Sequence, residues 1–141
     1  MEDPGEDVTR GLDEPKLEAL VQAMYLAAYA DGDFSDIERA HFSRSVDRLT
    51  EGRISPTQFE TVLRSLQDRL ENTGREACIG SIRDRLTDPQ LRWLAVLLAA
   101  DMTAADGIIR ASERQMLFEL AAALEVDKRE AEELVEGFES D

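Results

Sequence analysis

Cysteine, histidine, proline and aromatic residues are scarce in this chain, and each scarcity removes a class of answer. Cys78 is the only cysteine. No internal disulfide can form, and a single unpaired thiol fits a reducing compartment. His41 is the only histidine, so no zinc-type Cys/His spacing exists, and there is no Gly-rich phosphate loop and no nucleophile motif. Only four prolines occur, aromatics make up 6%, and no run is rich in valine or isoleucine. That balance favours helix over strand. No apolar run approaches the roughly 20 residues that a membrane span needs. Basic residues are outnumbered 16 to 31, for a net charge of −15. Nucleic-acid backbones and anionic lipid surfaces are therefore repelled, and cations or basic protein surfaces are the expected electrostatic partners. The first residues, Met1 to Asp7, are acidic and lack a basic and an apolar region, so no signal peptide is expected and the cytoplasm is the expected location.

What is present is a globular balance: 43% hydrophobic and 33% charged residues in 141. That length suits one domain with one core. The expected organisation is an acidic arm over residues 1–12 and a single all-helical domain over 13–141. Helical spacing runs through Leu17, Leu20, Val21, Met24, Ala27 and Ala28, with Tyr25 and Tyr29 on the flank. A second helix follows, with Ile37, Phe42, Val46 and Leu49 as candidate core. Ser55-Pro56 starts a third helix carrying Phe59, Val62, Leu63, Leu66 and Leu70. Thr73-Gly74-Arg75-Glu76 ends it and offers a capping box for a short fourth helix with Cys78, Ile79, Ile82 and Leu86. Thr87-Asp88-Pro89 opens a fifth helix, apolar all round and therefore central, with Trp93 at its edge seeking an acceptor for its indole N–H. A sixth follows from about Ala111 to Leu124. A seventh presents Glu132, Glu133, Glu136 and Glu139 as a solvated acidic face. No segment alternates convincingly enough for a strand.

Two stretches organise the rest. Asp31-Gly32-Asp33-Phe34-Ser35-Asp36-Ile37-Glu38 follows the first helix, and Ala105-Asp106-Gly107 through Glu113 follows the fifth. They are 75 residues apart, Asp31 matching Asp106 and Glu38 matching Glu113. The fold class expected is all-α, a single helical bundle of about seven helices with a pseudo-twofold repeat of helical hairpins. In the first copy Ser35 and Glu38 form a capping box. The second copy has Arg110 where Ser35 stands, yet keeps the glutamate.

Asp31 and Asp106 lie where a helix ends, and a carboxylate there opposes the helix dipole by up to about 1 kcal/mol. Something must compensate them. Loop amides, the arginines Arg39 and Arg114, or a divalent cation are the three candidates. Asp31, Asp33 and Glu38 supply oxygen ligands in the first copy, and Asp106 and Glu113, with Asp101 one turn back, in the second. Calcium, magnesium and zinc are the cations to consider. The pattern is not an EF-hand: counting from Asp31, the glycine falls second and Phe42 falls twelfth, where that loop needs glycine sixth and glutamate twelfth. Structural capping explains Gly32, Ser35, Asp36 and Glu38 without any ligand, but explains the two aspartates less well.

Met24 to Arg39, an alanine-rich helix running into Ala30-Asp31-Gly32 with Glu38 heading the next helix, resembles the signature of the TerB-like family, named for a tellurite-resistance protein. Leu97 through Glu113 is similar to that family's second hairpin, and Leu124 to Val135 to its closing helix. The likeness spans about Pro15 to Phe138, with the stretch from Ile54 to Leu86 matching only in being helical. It implies an all-helical domain with internal pseudo-symmetry. It also implies a link to bacterial stress responses at the inner face of the membrane, and suspected metal ligands at Asp31, Glu38, Asp106 and Glu113.

The leading functional expectation is a small cytoplasmic interaction domain. It binds a partner protein, with a divalent cation steadying the acidic turns, and reaches a membrane only through that partner. An enzyme is not expected: His41 and Cys78 read as inert, half-buried and core residues. Two rival readings stand beside it. One is a metal-assisted hydrolase with carboxylates converging from both halves. The other is a pure dimerisation module, a homodimer.

Overall fold

The computed structural model describes residues 14–30, 35–52, 54–104 and 109–139. Among these, seven helices and no strand are found: α1 (Glu14–Ala28), α2 (Asp36–Leu49), α3 (Pro56–Thr73), α4 (Arg75–Arg85), α5 (Pro89–Thr103), α6 (Ala111–Ala123) and α7 (Lys128–Glu139). The all-α bundle expected from periodicity is the one observed. The 1–12 arm lies outside the described residues.

Local chemistry sets most of the boundaries. At the head of α2 the Glu38 amide donates to Ser35 Oγ at 3.1 Å, and the Ser35 amide donates to Glu38 Oε1 at 3.1 Å. Ser55 and Gln58 repeat the arrangement at α3, with Pro56 in the first turn. Asp88 caps α5, accepting from the Gln90 amide at 2.8 Å. The capping box expected at Thr73–Glu76 does not form. Thr73 still belongs to α3 and its hydroxyl donates to the Arg69 carbonyl at 2.6 Å. Gly74 alone joins α3 to α4, at φ 87 and ψ 167, a conformation open in practice only to glycine. Gly80 is tolerated inside α4.

The two alanine-rich helices form the centre. α1 packs on α5 more extensively than any other pair, α4 also packs on α1, and α6 and α7 pack on α5. Ala19, Ala23 and Ala27 fall on one i, i+4 row of α1, and Ala95 and Ala99 on one row of α5, all at 0–1% exposure. Small side chains on such rows let two axes approach closely. Leu20, Met24, Phe42, Ile82, Met102, Met116 and Leu120 fill the space around them.

Three side chains depart from the sequence expectation. Tyr25 is buried at 2% rather than lying on the flank, because α1 is covered on several sides. It stacks on Tyr29 with ring centroids 5.7 Å apart, and Phe42 lies at 6.2 Å. Ile37, expected in the core, is 62% exposed: it lies in the first turn of α2, one residue before the glutamate that turns inward. Trp93 is 40% exposed, and its indole N–H finds no acceptor among the described residues. The α3 stripe is thinner than its pattern promises, with Leu63 and Leu66 buried and Phe59, Val62 and Leu70 half-buried.

Candidate functional site

The two acidic hinges join α1 to α2 and α5 to α6. Asp31, Asp33 and Asp106 lie outside the described residues, so the structure bears on Glu38 and Glu113. Both are carboxylates in the first turn of a helix, and both are buried, at 6% and 1%. Glu38 Oε1 accepts from the Ser35 amide at 3.1 Å and from the Ser35 hydroxyl at 2.9 Å. Its Oε2 has no hydrogen-bond partner among the described residues. Glu113 Oε1 accepts from the Arg110 amide at 2.9 Å, and the Arg110 guanidinium approaches it to 3.8 Å. The second hinge thus keeps the glutamate half of the box and replaces the serine with a cation.

The match extends to the far ends of the same helices. Beyond α2 the Gly52 amide donates to the Asp47 carbonyl at 2.9 Å and the Glu51 amide to Arg48 at 3.3 Å. Beyond α6 the Val126 amide donates to Ala121 at 2.9 Å and the Glu125 amide to Ala122 at 3.1 Å. Each closure places a glutamate in the left-handed region, Glu51 at φ 55 and Glu125 at φ 60. α2 and α6 therefore begin on a buried glutamate and end on a left-handed one.

The charges near the hinges are met in ways the sequence only partly signals. Arg39, a candidate partner for Asp31, pairs with Glu60 on α3 at 2.5 Å; Asp31 itself lies outside the described residues. Asp101 sits in the last turn of α5, where a carboxylate is disfavoured. His41 Nε2 lies 3.0 Å from its Oδ2. This contact ties α2 to α5, and sequence reasoning missed it. The signal was there: the argument that Asp31 needs a counter-charge applies equally to Asp101. A separation of 60 residues hid the partner. Cys78 is a buried thiol, 3.8 Å from the Thr73 hydroxyl.

Elsewhere, Arg85 crosses from α4 to α1, donating to Gln22 and standing 3.8 Å from Glu18. Burial lowers its pKa, and Glu18 opposes that shift. Burial pushes the Tyr25 hydroxyl up to about 12, helped by negative charge at Tyr29, Glu71 and Cys78. Among the described residues no three His, Cys, Asp or Glu side chains cluster in a way that could hold a metal. Glu38 and Glu113 are thus not brought into one shared centre with other described ligands. No helix among those residues is long and apolar enough to cross a membrane. The family model described as "Tellurite resistance protein TerB" matches residues 17–136. No curated protein and no solved structure matches the chain.

Proposed function

The chain belongs to the TerB family of tellurite resistance proteins, and from that premise we propose that it is a non-enzymatic interaction domain whose acidic hinges hold a divalent cation. It works in the cytoplasm, binds a partner protein as part of a tellurite-stress response, and reaches a membrane only through that partner. The observation that carries the cation reading is Glu38. Its side chain is 6% exposed and one oxygen is committed to Ser35; the other has no protein partner among the described residues and keeps some access to solvent, through which an ion can reach it. A buried carboxylate needs a counter-charge. Asp31 and Asp33 are the neighbouring oxygen donors in the chain, and an all-oxygen set suits calcium or magnesium better than zinc. Asp106 and Glu113 form the second, sparser set, where Arg110 already supplies positive charge to Glu113. The shared start and end of α2 and α6 support a pseudo-twofold relation between the halves, with one cation-binding turn in each.

Calorimetric titration of the full chain with calcium, magnesium and zinc, at fixed ionic strength, tests the cation. Binding heat for calcium or magnesium, and a melting temperature that falls with chelator, are expected. Glu38→Gln keeps an oxygen for the Ser35 amide but removes the charge, so this variant should stay folded and lose the heat of the first turn, leaving at most that of the second. Absence of heat together with an unmoved melting temperature removes the cation from the account.

A further inference from the structure

A groove between α2 and α3 combines a shape and a charge pattern that together specify an occupant. Its volume is about 400 Å³. The floor is apolar, made by Val46 with half-buried Ile54 and Phe59. The α2 wall is the stripe Asp36, Ala40, Ser43 and Asp47, all four exposed. Steps of four, three and four residues return to one helix face after three turns, the spacing of a helix–helix seam. The two middle side chains are small and leave room. The two end side chains are carboxylates about 16 Å apart along the axis, at 1.5 Å per residue. On the opposite wall Glu60 is neutralised by Arg39. Neither Asp36 nor Asp47 has an ion-pair partner among the described residues. Among the described residues, the groove therefore carries an unpaired carboxylate at each end of an apolar floor.

We infer that this groove receives a short helix of a partner protein, apolar along one face and carrying a lysine or arginine at each end of that face, three turns apart. This rests on the interaction-domain reading and adds the surface and the partner's chemistry. The apolar ridge of the incoming helix lies over Ala40 and Ser43 and covers Phe59 and Ile54. Its two cations meet Asp36 and Asp47. A second copy of this chain is a poor occupant, since the exposed face of α7 presents Glu132, Glu133 and Glu136. With a net charge of −15, nucleic acid and anionic lipid are repelled as well. The neighbouring groove between α1 and α3 lacks this specificity. Its Thr50 and Thr61 hydroxyls donate to their own helix carbonyls, and its one carboxylate, Glu18, is held by Arg69 at 2.7 Å.

The test is an NMR titration of the full chain with a synthetic helical peptide, leucines on one face and a lysine at each end of that face, three turns apart. Shifts confined to Ala40, Ser43, Val46, Ile54 and Phe59 are expected, with α7 silent. The same peptide with glutamate in place of lysine should not bind. Asp36→Asn with Asp47→Asn should weaken binding three- to tenfold at low salt, as exposed ion pairs of modest strength predict. Ala40→Trp, at an exposed position, should keep the melting temperature and abolish binding. Shifts on another face, equal binding of the two peptides, or no effect of the asparagine pair would overturn the assignment. Photo-crosslinking in cells separates this from the wider reading. A crosslinker at Ser43 should give an adduct. Adducts only from Gln115 or Glu132 would overturn the groove and leave an interaction domain standing; adducts from none of the three would overturn both.

Discussion

Glu51 and Glu125 occupy positions where glycine is the usual residue. Their φ values of 55 and 60 lie in the left-handed region, where a side chain adds strain that glycine escapes. Glu51→Gly and Glu125→Gly should each stabilise the protein by about 0.5–1 kcal/mol, part of the gain being offset by the greater freedom of glycine in the unfolded chain. Chemical denaturation checks this. Tyr25 gives a second prediction. Its hydroxyl is raised from 10.0 to about 12 in the folded protein, chiefly by burial, so the unfolded chain releases that proton first. Stability from this group is intact below pH 10 and falls as pH rises from 10 to 12. The melting temperature of the parent should fall more steeply with pH across that window than that of Tyr25→Phe, whatever offset separates the two below it. Neither feature was legible in the sequence. Nothing local marks a glutamate as left-handed, and Tyr25 and Tyr29, four apart on one helix, look alike until α1 is seen to be covered by several neighbours.

At the scale of elements, Arg92 on α5 joins three helix ends. Its guanidinium donates to the carbonyl of Leu86 at 2.5 Å, of Arg83 at 3.2 Å and of Leu124 at 3.5 Å. These are carbonyls at the C-terminal ends of α4 and α6, which have no helical partner and favour a nearby cation. Arg92→Leu should cost about 1–3 kcal/mol, since it leaves several such groups unmet at once; urea denaturation measures it. The helices themselves were readable because their starts are local signals: Ser35 with Glu38, Ser55 with Pro56, and Asp88 with Pro89 each lie within four residues. The failures came where a signal had competition. Thr73 and Glu76 spell a capping box, but Thr73 stays in α3 and bonds back to Arg69. The His41–Asp101 contact between α2 and α5 joins residues that no local rule connects.

For the molecule as a whole, the excess of 31 acidic over 16 basic residues sets a background of self-repulsion that salt relieves. The screening length falls from about 30 Å at 0.01 M to about 8 Å at 0.15 M, so the melting temperature should rise over that range with sodium chloride alone. A specific cation must act beyond this, which is why ionic strength is held fixed in its test. The all-helical fold and the family were legible from alanine-rich helices leading into Asp-Gly turns. Of the candidate site, Glu38 and Glu113 are both buried in the first turns of their helices, whereas Asp31, Asp33 and Asp106 lie outside the described residues. The most direct measurement of the central claim is an amide NMR titration of the full chain with calcium and, separately, magnesium at constant ionic strength. The account predicts saturable shifts concentrated in residues 31–38 and 105–113, abolished in the first stretch by Glu38→Gln. Shifts spread evenly over the acidic surface, or unchanged in that variant, would contradict it.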